Sequence, residues 1–264
     1  MVLVFRPSFE NRPIKCKSAT EVLLRTDRLG YTPGNSGFSR INTLATENSC
    51  QNVTVPGARP RFIADIVFLM DSALDVGNDN YRRQKEFVKV IAKALNLGKD
   101  ASRACLVVYN ERARLVTTFN THRTLKEFEN ALLRARHMSH GRRIDKALVY
   151  AADLLTRARR EIPKVVVLIT SGRRSSSNSL DVASNPLKTG GAKSFVVAIG
   201  NTPDIRELRL VVSKNDDVFE VPSFILLSRI EESFPKHIIS SFGKKFILLQ
   251  RARTALTLLR LATN

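Results

Sequence analysis

Asp71 and Asp75 stand four residues apart just after the apolar run FIADIVFLM (62–70), and they are the first groups in the chain whose types and spacing suggest chemistry. Two carboxylates at the end of a buried run mark a candidate polar site, against the plainer reading of loop polarity or a cap for the helix that follows. Arg142 and Arg143 follow Gly141, and Ser171, Arg173 and Arg174 follow a second apolar run, PKVVVLIT (163–170). Guanidinium groups in such positions pair with carboxylates or sulfates through planar hydrogen bonds. Arg142, Arg143, Arg173 and Arg174 are therefore candidate contacts for an acidic partner, against the plainer reading of a solvated basic rim. No catalytic set competes with this. His122 and His237 fall in segments expected at the surface, and His137 and His140 flank the candidate crevice, where a solvated loop role outweighs general-base work. The run Ser175-Ser176-Ser177 lacks a nucleophile elbow, and Gly190-Gly191 lacks the Lys-Ser/Thr pair of a phosphate loop. The chain is expected not to be an enzyme.

These groups need elements to hold them. Continuous apolar runs of strand length suit strands buried on both faces of a parallel sheet, whereas apolar residues every three or four mark one face of a helix. FIADIVFLM, ACLVVY (104–109), PKVVVLIT and SFVVAIG (194–200) are of the first kind. Tyr81 to Leu95, TLKEFENALLRA and IDKALVYAADLLTRA are of the second, with further helical stretches expected at 204–212 and 223–240 and a short strand, DVFEV, at 217–221. ARLVTTF (113–119) follows ACLVVY across a short turn and predicts an antiparallel hairpin. The alternation predicts a doubly wound α/β fold: a mostly parallel sheet with one antiparallel strand and helices on both faces. In such a sheet ligands bind beyond the carboxyl ends of the strands, where Asp71, Asp75, Ser171 and the four arginines fall. The arginines 157, 159 and 160 close a helix and are expected to offset its C-terminal dipole.

Composition narrows the partners. The 264 residues carry 43 Lys+Arg against 24 Asp+Glu, a formal charge of +19, much of it in the terminal segments. Residues 241–264 hold no acid and permit a basic amphipathic helix, although an unstructured extension is the favoured reading. No zinc-finger, RNP-like or basic-zipper pattern accompanies the charge, so acidic partners in general are expected and nucleic acid is not. Cys16, Cys50 and Cys105 have no metal-ligand spacing; Cys105 lies in an apolar run and reads as a buried structural thiol, and Cys16–Cys50 is a weakly supported disulfide. MVLVF is cut short by Arg6, so no signal peptide is recognised, and no stretch approaches the ~20 apolar residues of a membrane span. Asn52-Val53-Thr54 is an N-glycosylation sequon, meaningful in a secreted chain.

The order and spacing of FIADIVFLMDSALDVG, RACLVVYNERARLVTTF, SHGRRIDKALVYAADLL, KVVVLITSGRR, SFVVAIGN and IRELRLVVSKNDDVFEV resemble the von Willebrand factor type A domain over about residues 61–240. Residues 1–60 are left as an unassigned segment or linker and 241–264 as a basic tail. The texture is most similar to the A domains of type VI collagen chains and other matrix proteins. That resemblance implies a metal-ion-dependent adhesion site made from Asp-x-Ser-x-Ser, a Thr and a distal Asp. Here Asp71 keeps the first position, Ala73 and Asp75 replace the serines, Arg142 stands at the threonine and Ser171 at the distal aspartate. Placed near a divalent ion, a permanently charged guanidinium would repel it. Arg142 is expected to exclude the metal and to pair with Asp71, and with Asp75, as an internal salt bridge. No cofactor is expected, with Asp71 and Asp75 the remaining groups for weak Mg²⁺ or Mn²⁺ binding. The resemblance implies a non-catalytic, secreted matrix module binding collagens or glycosaminoglycans. An intracellular metal-independent scaffold and a truncated product with little function of its own are the competing readings.

Overall fold

The computed structural model describes residues 62–243, apart from 100, 123 and 139; Cys16, Cys50, Asn52 and the basic segment from 244 onward lie outside these residues. Six strands form one sheet in the order β3-β2-β1-β4-β5-β6. They are β1 (Asp65–Asp71), β2 (Arg103–Tyr109), β3 (Ala113–Thr117), β4 (Lys164–Thr170), β5 (Ala192–Ile199) and β6 (Val218–Val221). All neighbours run parallel except β2 and β3, which form the expected antiparallel edge. The sheet is covered by α1 (Gly77–Ala94), α2 (Leu125–Arg134), α3 (Ile144–Thr156), α4 (Leu180–Thr189), α5 (Ile205–Arg209) and α6 (Ser233–Ser241).

Every residue of β1 is buried, as a central parallel strand between two helical layers requires. Its side chains alternate between the layers. Ile66, Phe68 and Met70 enter a core with α1, α2 and α6, while Val67 and Leu69 enter a second core with α3 and α4. Thr124 starts α2 with a reciprocal cap: its hydroxyl accepts from Glu127 N at 3.2 Å, and Glu127 Oε2 accepts from Thr124 N at 3.2 Å. Cys105 is buried in β2, and burial pushes its thiol up to about 12, so it behaves as a small core residue.

The expected helix over 223–240 is corrected to a 3₁₀ segment, Phe224–Ile230, followed by α6. Pro235 explains the break, because a ring without an N–H fits only the first turn of an α-helix and so marks where α6 begins. The helix expected over 204–212 is limited to α5, and α1 begins four residues earlier than its apolar spacing predicts, at Gly77 with φ +69°. Arg159 is also corrected: it turns away from the end of α3 and pairs with the buried Asp65 at the start of β1.

Phe234 anchors α6, with ring centroids 4.8 Å from Phe219 and 5.9 Å from Phe87. Phe234→Ala is expected to lower the unfolding free energy by roughly 3–5 kcal/mol in urea denaturation, the range for emptying a buried aromatic site.

Candidate functional site

At the carboxyl end of β1 the backbone turns through Ser72 to a 3₁₀ turn, Leu74–Val76, before α1. The connection between α2 and α3 crosses above it and is tied down in three places. Met138 N donates to Ser72 Oγ at 2.6 Å, Leu74 N donates to His140 O at 2.9 Å, and His137 Nε2 lies 2.9 Å from Ala73 O. His140 takes φ +89°, a costly conformation for a residue with a Cβ, within that anchored connection. Arg142 is delivered by this segment to the space between the ends of β1 and β4.

The Arg142 guanidinium is 5% exposed as a residue and is surrounded by acceptors. Its Nε donates to Asp71 Oδ2 at 2.6 Å, and its Nη2 donates to Asp75 Oδ1 at 2.6 Å and to Ser171 Oγ at 3.1 Å. Nη1 reaches the Arg173 carbonyl at 3.4 Å. Asp71 is fully buried; Ala73 N donates to its Oδ1 at 3.0 Å, and Ser171 N to its Oδ2 at 3.0 Å. Burial pushes the Asp71 carboxyl above its ordinary range, and Arg142 pulls against that shift. Burial works to lower the Arg142 value, but Asp71 and Asp75 raise it, so the guanidinium stays charged. Gly172 leaves the necessary room, since a Cβ there would overlap the Arg142 guanidinium.

The crevice therefore brings together Asp71, Asp75, Arg142 and Ser171, with Ala73 supplying a backbone donor. The other expected acidic-partner contacts separate. Arg143 pairs bidentately with Asp145, at 2.9 and 2.7 Å, and Arg174 pairs with Glu207. Arg173 alone of the four is exposed and has no ion-pair partner among the described residues. Asp145 and Glu207 were not legible as partners, though Asp145 sits two residues after Arg143 in the first turn of α3. Two of the histidines also depart from the solvated roles expected of them. His137 packs against Tyr81 with centroids 5.2 Å apart, and His237 lies 2.8 Å from Asp217.

A mostly parallel sheet between helical layers, with charged groups at the carboxyl ends of its central strands, defines a doubly wound α/β domain rather than an all-β or helical module. The family model for the von Willebrand factor type A domain matches residues 65–233, and the chain belongs to that family. Matrilin-2 of Mus musculus is 29% identical over 201 residues, covering 73% of this chain and 20% of that protein. The collagen alpha-5(VI) chain of Homo sapiens is 27% identical over 135 residues, covering 50% of this chain and 5% of its own. Among solved structures, proximal thread matrix protein 1 from the mussel byssus, in a form with a zinc-occupied MIDAS motif, is 26% identical with a TM-score of 0.63. That match covers 68% of this chain and 46% of the mussel chain. This chain thus spans between a twentieth and under half of these relatives.

Two outcomes follow from these ion pairs. Arg142→Met leaves a buried carboxylate without its cation and is expected to lower stability by about 3–5 kcal/mol in chemical denaturation. Burial works to raise the Asp145 carboxyl, but hydrogen bonds from Arg143 and Asn178 hold it down at about 2, against an ordinary 3.8. A depressed acid stabilises the fold above its unfolded value and loses that contribution as pH falls toward its folded value. Asp145→Asn should therefore flatten the fall in melting temperature between about pH 4 and pH 2.

Proposed function

We propose that this chain is a non-catalytic protein-binding module of extracellular-matrix type whose adhesion crevice is held by an arginine instead of a divalent cation. One observation carries the reading: Arg142 bonds both crevice carboxylates, at 2.6 Å each, and the hydroxyl of Ser171 at 3.1 Å. A divalent ion does not fit this donor set. Both Asp71 oxygens already accept hydrogen bonds, three of them on Oδ2, and any ion shared with Asp75 would lie against a fixed positive charge. Ala73 offers no oxygen ligand from its side chain, and Ser171 has no carboxylate to replace the one the family pattern places there.

The likeness to matrilin-2, to a collagen VI chain and to a byssal matrix protein supports a matrix setting, with collagens among the partners. Among the described residues no polar cluster in the crevice has the free nucleophile and base of an enzyme; Asp71, Asp75, Arg142 and Ser171 are bonded to one another. Recognition then falls to the rim, where Leu74 is 69% exposed beside the Asp75 side chain at 62%, with Arg173 across the crevice. In this setting Asn52, outside the described residues, is the acceptor for an N-linked glycan.

The test is capture of the full chain on collagen-coated surfaces with EDTA or with Mg²⁺ and Mn²⁺, beside the variant Arg142→Thr, Ser171→Asp, Ala73→Ser, Asp75→Ser. Equal capture with and without EDTA is expected of the parent, and a metal-induced rise in melting temperature only of the variant. Millimolar or tighter metal binding by the parent would overturn the reading, as would capture that EDTA abolishes.

A further inference from the structure

The pole of the sheet opposite the crevice is organised around another buried acid. Asp65, at the start of β1, has a side chain with no exposed area and takes two guanidiniums. Arg103 donates to it through Nε and Nη2, at 3.1 and 2.7 Å. Arg159 donates through Nε and Nη2, at 2.9 and 2.6 Å, and through its backbone N–H at 2.7 Å. One carboxylate neutralises only one of two cations, so the arrangement keeps a fixed positive charge at this pole. Arg159 holds its side chain 32% exposed, and its Nη1 has no hydrogen-bond partner among the described residues.

More cations surround this pair. Arg159 Nη2 also donates to Ala101 O at 3.1 Å, bringing together the α1–β2 and α3–β4 connections, and with them Lys99, Arg157 and Arg160. Lys99 and Arg160 are exposed with no ion-pair partner among the described residues, and Arg157 meets Asp153 only at 3.9 Å. Lys164 opens β4 directly beside Asp65 in the sheet register, and Arg103 opens β2 on its other side. Adjacent strands lie about 4.8 Å apart, so the backbones of these two residues flank Asp65, while Lys164 Nζ turns to Gly190 O at 3.4 Å. Asp65, Asp153 and Glu161 are the acids among the described residues there, fewer than the bases; Asp100, next to Lys99, lies outside the described residues. Near the crevice the balance differs: Arg142, Arg143 and Arg174 are each matched to a carboxylate, and Arg173 is the exposed exception.

We propose that this pole, at the N-terminal ends of β1, β2 and β4, binds a sulfated glycosaminoglycan, with Arg159 and Arg103 pre-positioned by Asp65 and with Lys99, Arg157 and Arg160 completing the site. The inference rests on the matrix reading above for its choice of polyanion. Guanidiniums held by a buried carboxylate meet sulfate oxygens without first losing rotamer freedom, and their planar donors suit sulfate geometry. A linear polyanion matches cations spread along three strand ends better than it matches a closed pocket.

The test is titration of the full chain with a size-defined heparin oligosaccharide at several salt concentrations. Lys99→Ser, Arg157→Ser, Arg160→Ser removes exposed cations outside the Asp65 pairs, so the melting temperature should hold. It is expected to raise Kd about tenfold, which is about 1.4 kcal/mol shared among three exposed ion pairs, and to flatten the salt dependence. Arg173→Ser at the crevice should leave Kd unchanged. An unchanged Kd in the triple variant would overturn the proposal. So would binding lost only when Lys244, Lys245, Arg251, Arg253 and Arg260 are neutralised, or a DNA duplex that binds as tightly through the same three residues. Collagen capture on the same samples keeps the two readings apart. Capture without oligosaccharide binding removes this inference alone, and oligosaccharide binding without capture removes only the protein-binding reading.

Discussion

A carboxylate fully buried at the carboxyl end of the central strand is the constraint from which the crevice follows. Asp71 cannot remain ionised in that position without a cation and several donors, because desolvation alone favours its neutral form. Arg142 supplies the charge, and the backbone N–H groups of Ala73 and Ser171 supply most of the remaining donors. The other features of the site serve that arrangement. The α2–α3 connection must be fixed to the β1 turn to deliver Arg142, which accounts for the bonds from Met138, Leu74 and His137. Position 172 must lack a side chain so that the guanidinium can lie against the β4 turn.

The same strand carries a buried acid at its other end, and comparing the two shows how one type of pair gives two kinds of surface. At the crevice, two carboxylates share one guanidinium; the cation is sealed in and the outer oxygen chemistry belongs to Asp75. At the opposite pole, one carboxylate shares two guanidiniums, which bring positive charge toward solvent. Hydrogen bonds from Arg103 and Arg159 outweigh burial and hold the Asp65 carboxyl below its ordinary range, whereas burial wins at Asp71. Partial exposure of both arginines at the Asp65 pole explains the difference: solvent still reaches that pair and lessens the cost of its charge.

Most of the fold could be read in the sequence because buried parallel strands and amphipathic helices leave opposite periodicities. The runs ending at Met70, Tyr109, Thr170 and Gly200 each became strands, and the short hairpin gave the antiparallel edge. Helix ends were harder to place, since they depend on a single proline at 235 or a positive φ at Gly77 rather than on the apolar pattern. At the site, Asp71, Asp75 and Ser171 were legible because each follows a strand, whereas Arg142 reaches the crevice from the connection between α2 and α3. Their pairings mostly were not. Nothing in the spacing of Arg174 and Glu207, or of Arg159 and Asp65, announces that they meet, because those contacts are made by tertiary placement across 33 and 94 residues.

A guanidinium and a divalent ion can both neutralise a pair of aspartates, but they make different binding sites. An ion has coordination positions left over for a partner's carboxylate and can leave when its concentration falls. Arg142 is covalently part of the chain, is 5% exposed, and donates most of its hydrogen bonds inward. An acidic residue from a partner would find no open position there and would meet the exposed Asp75 first, which repels it. The sign of the crevice rim is thereby reversed relative to a metal-loaded one, and an acidic ligand is directed elsewhere on the domain. At the pole around Asp65, two guanidiniums share one carboxylate, and the Arg159 side chain is 32% exposed. A crevice filled by a guanidinium and a basic pole at the other end of the same strand are thus compatible parts of one charge distribution.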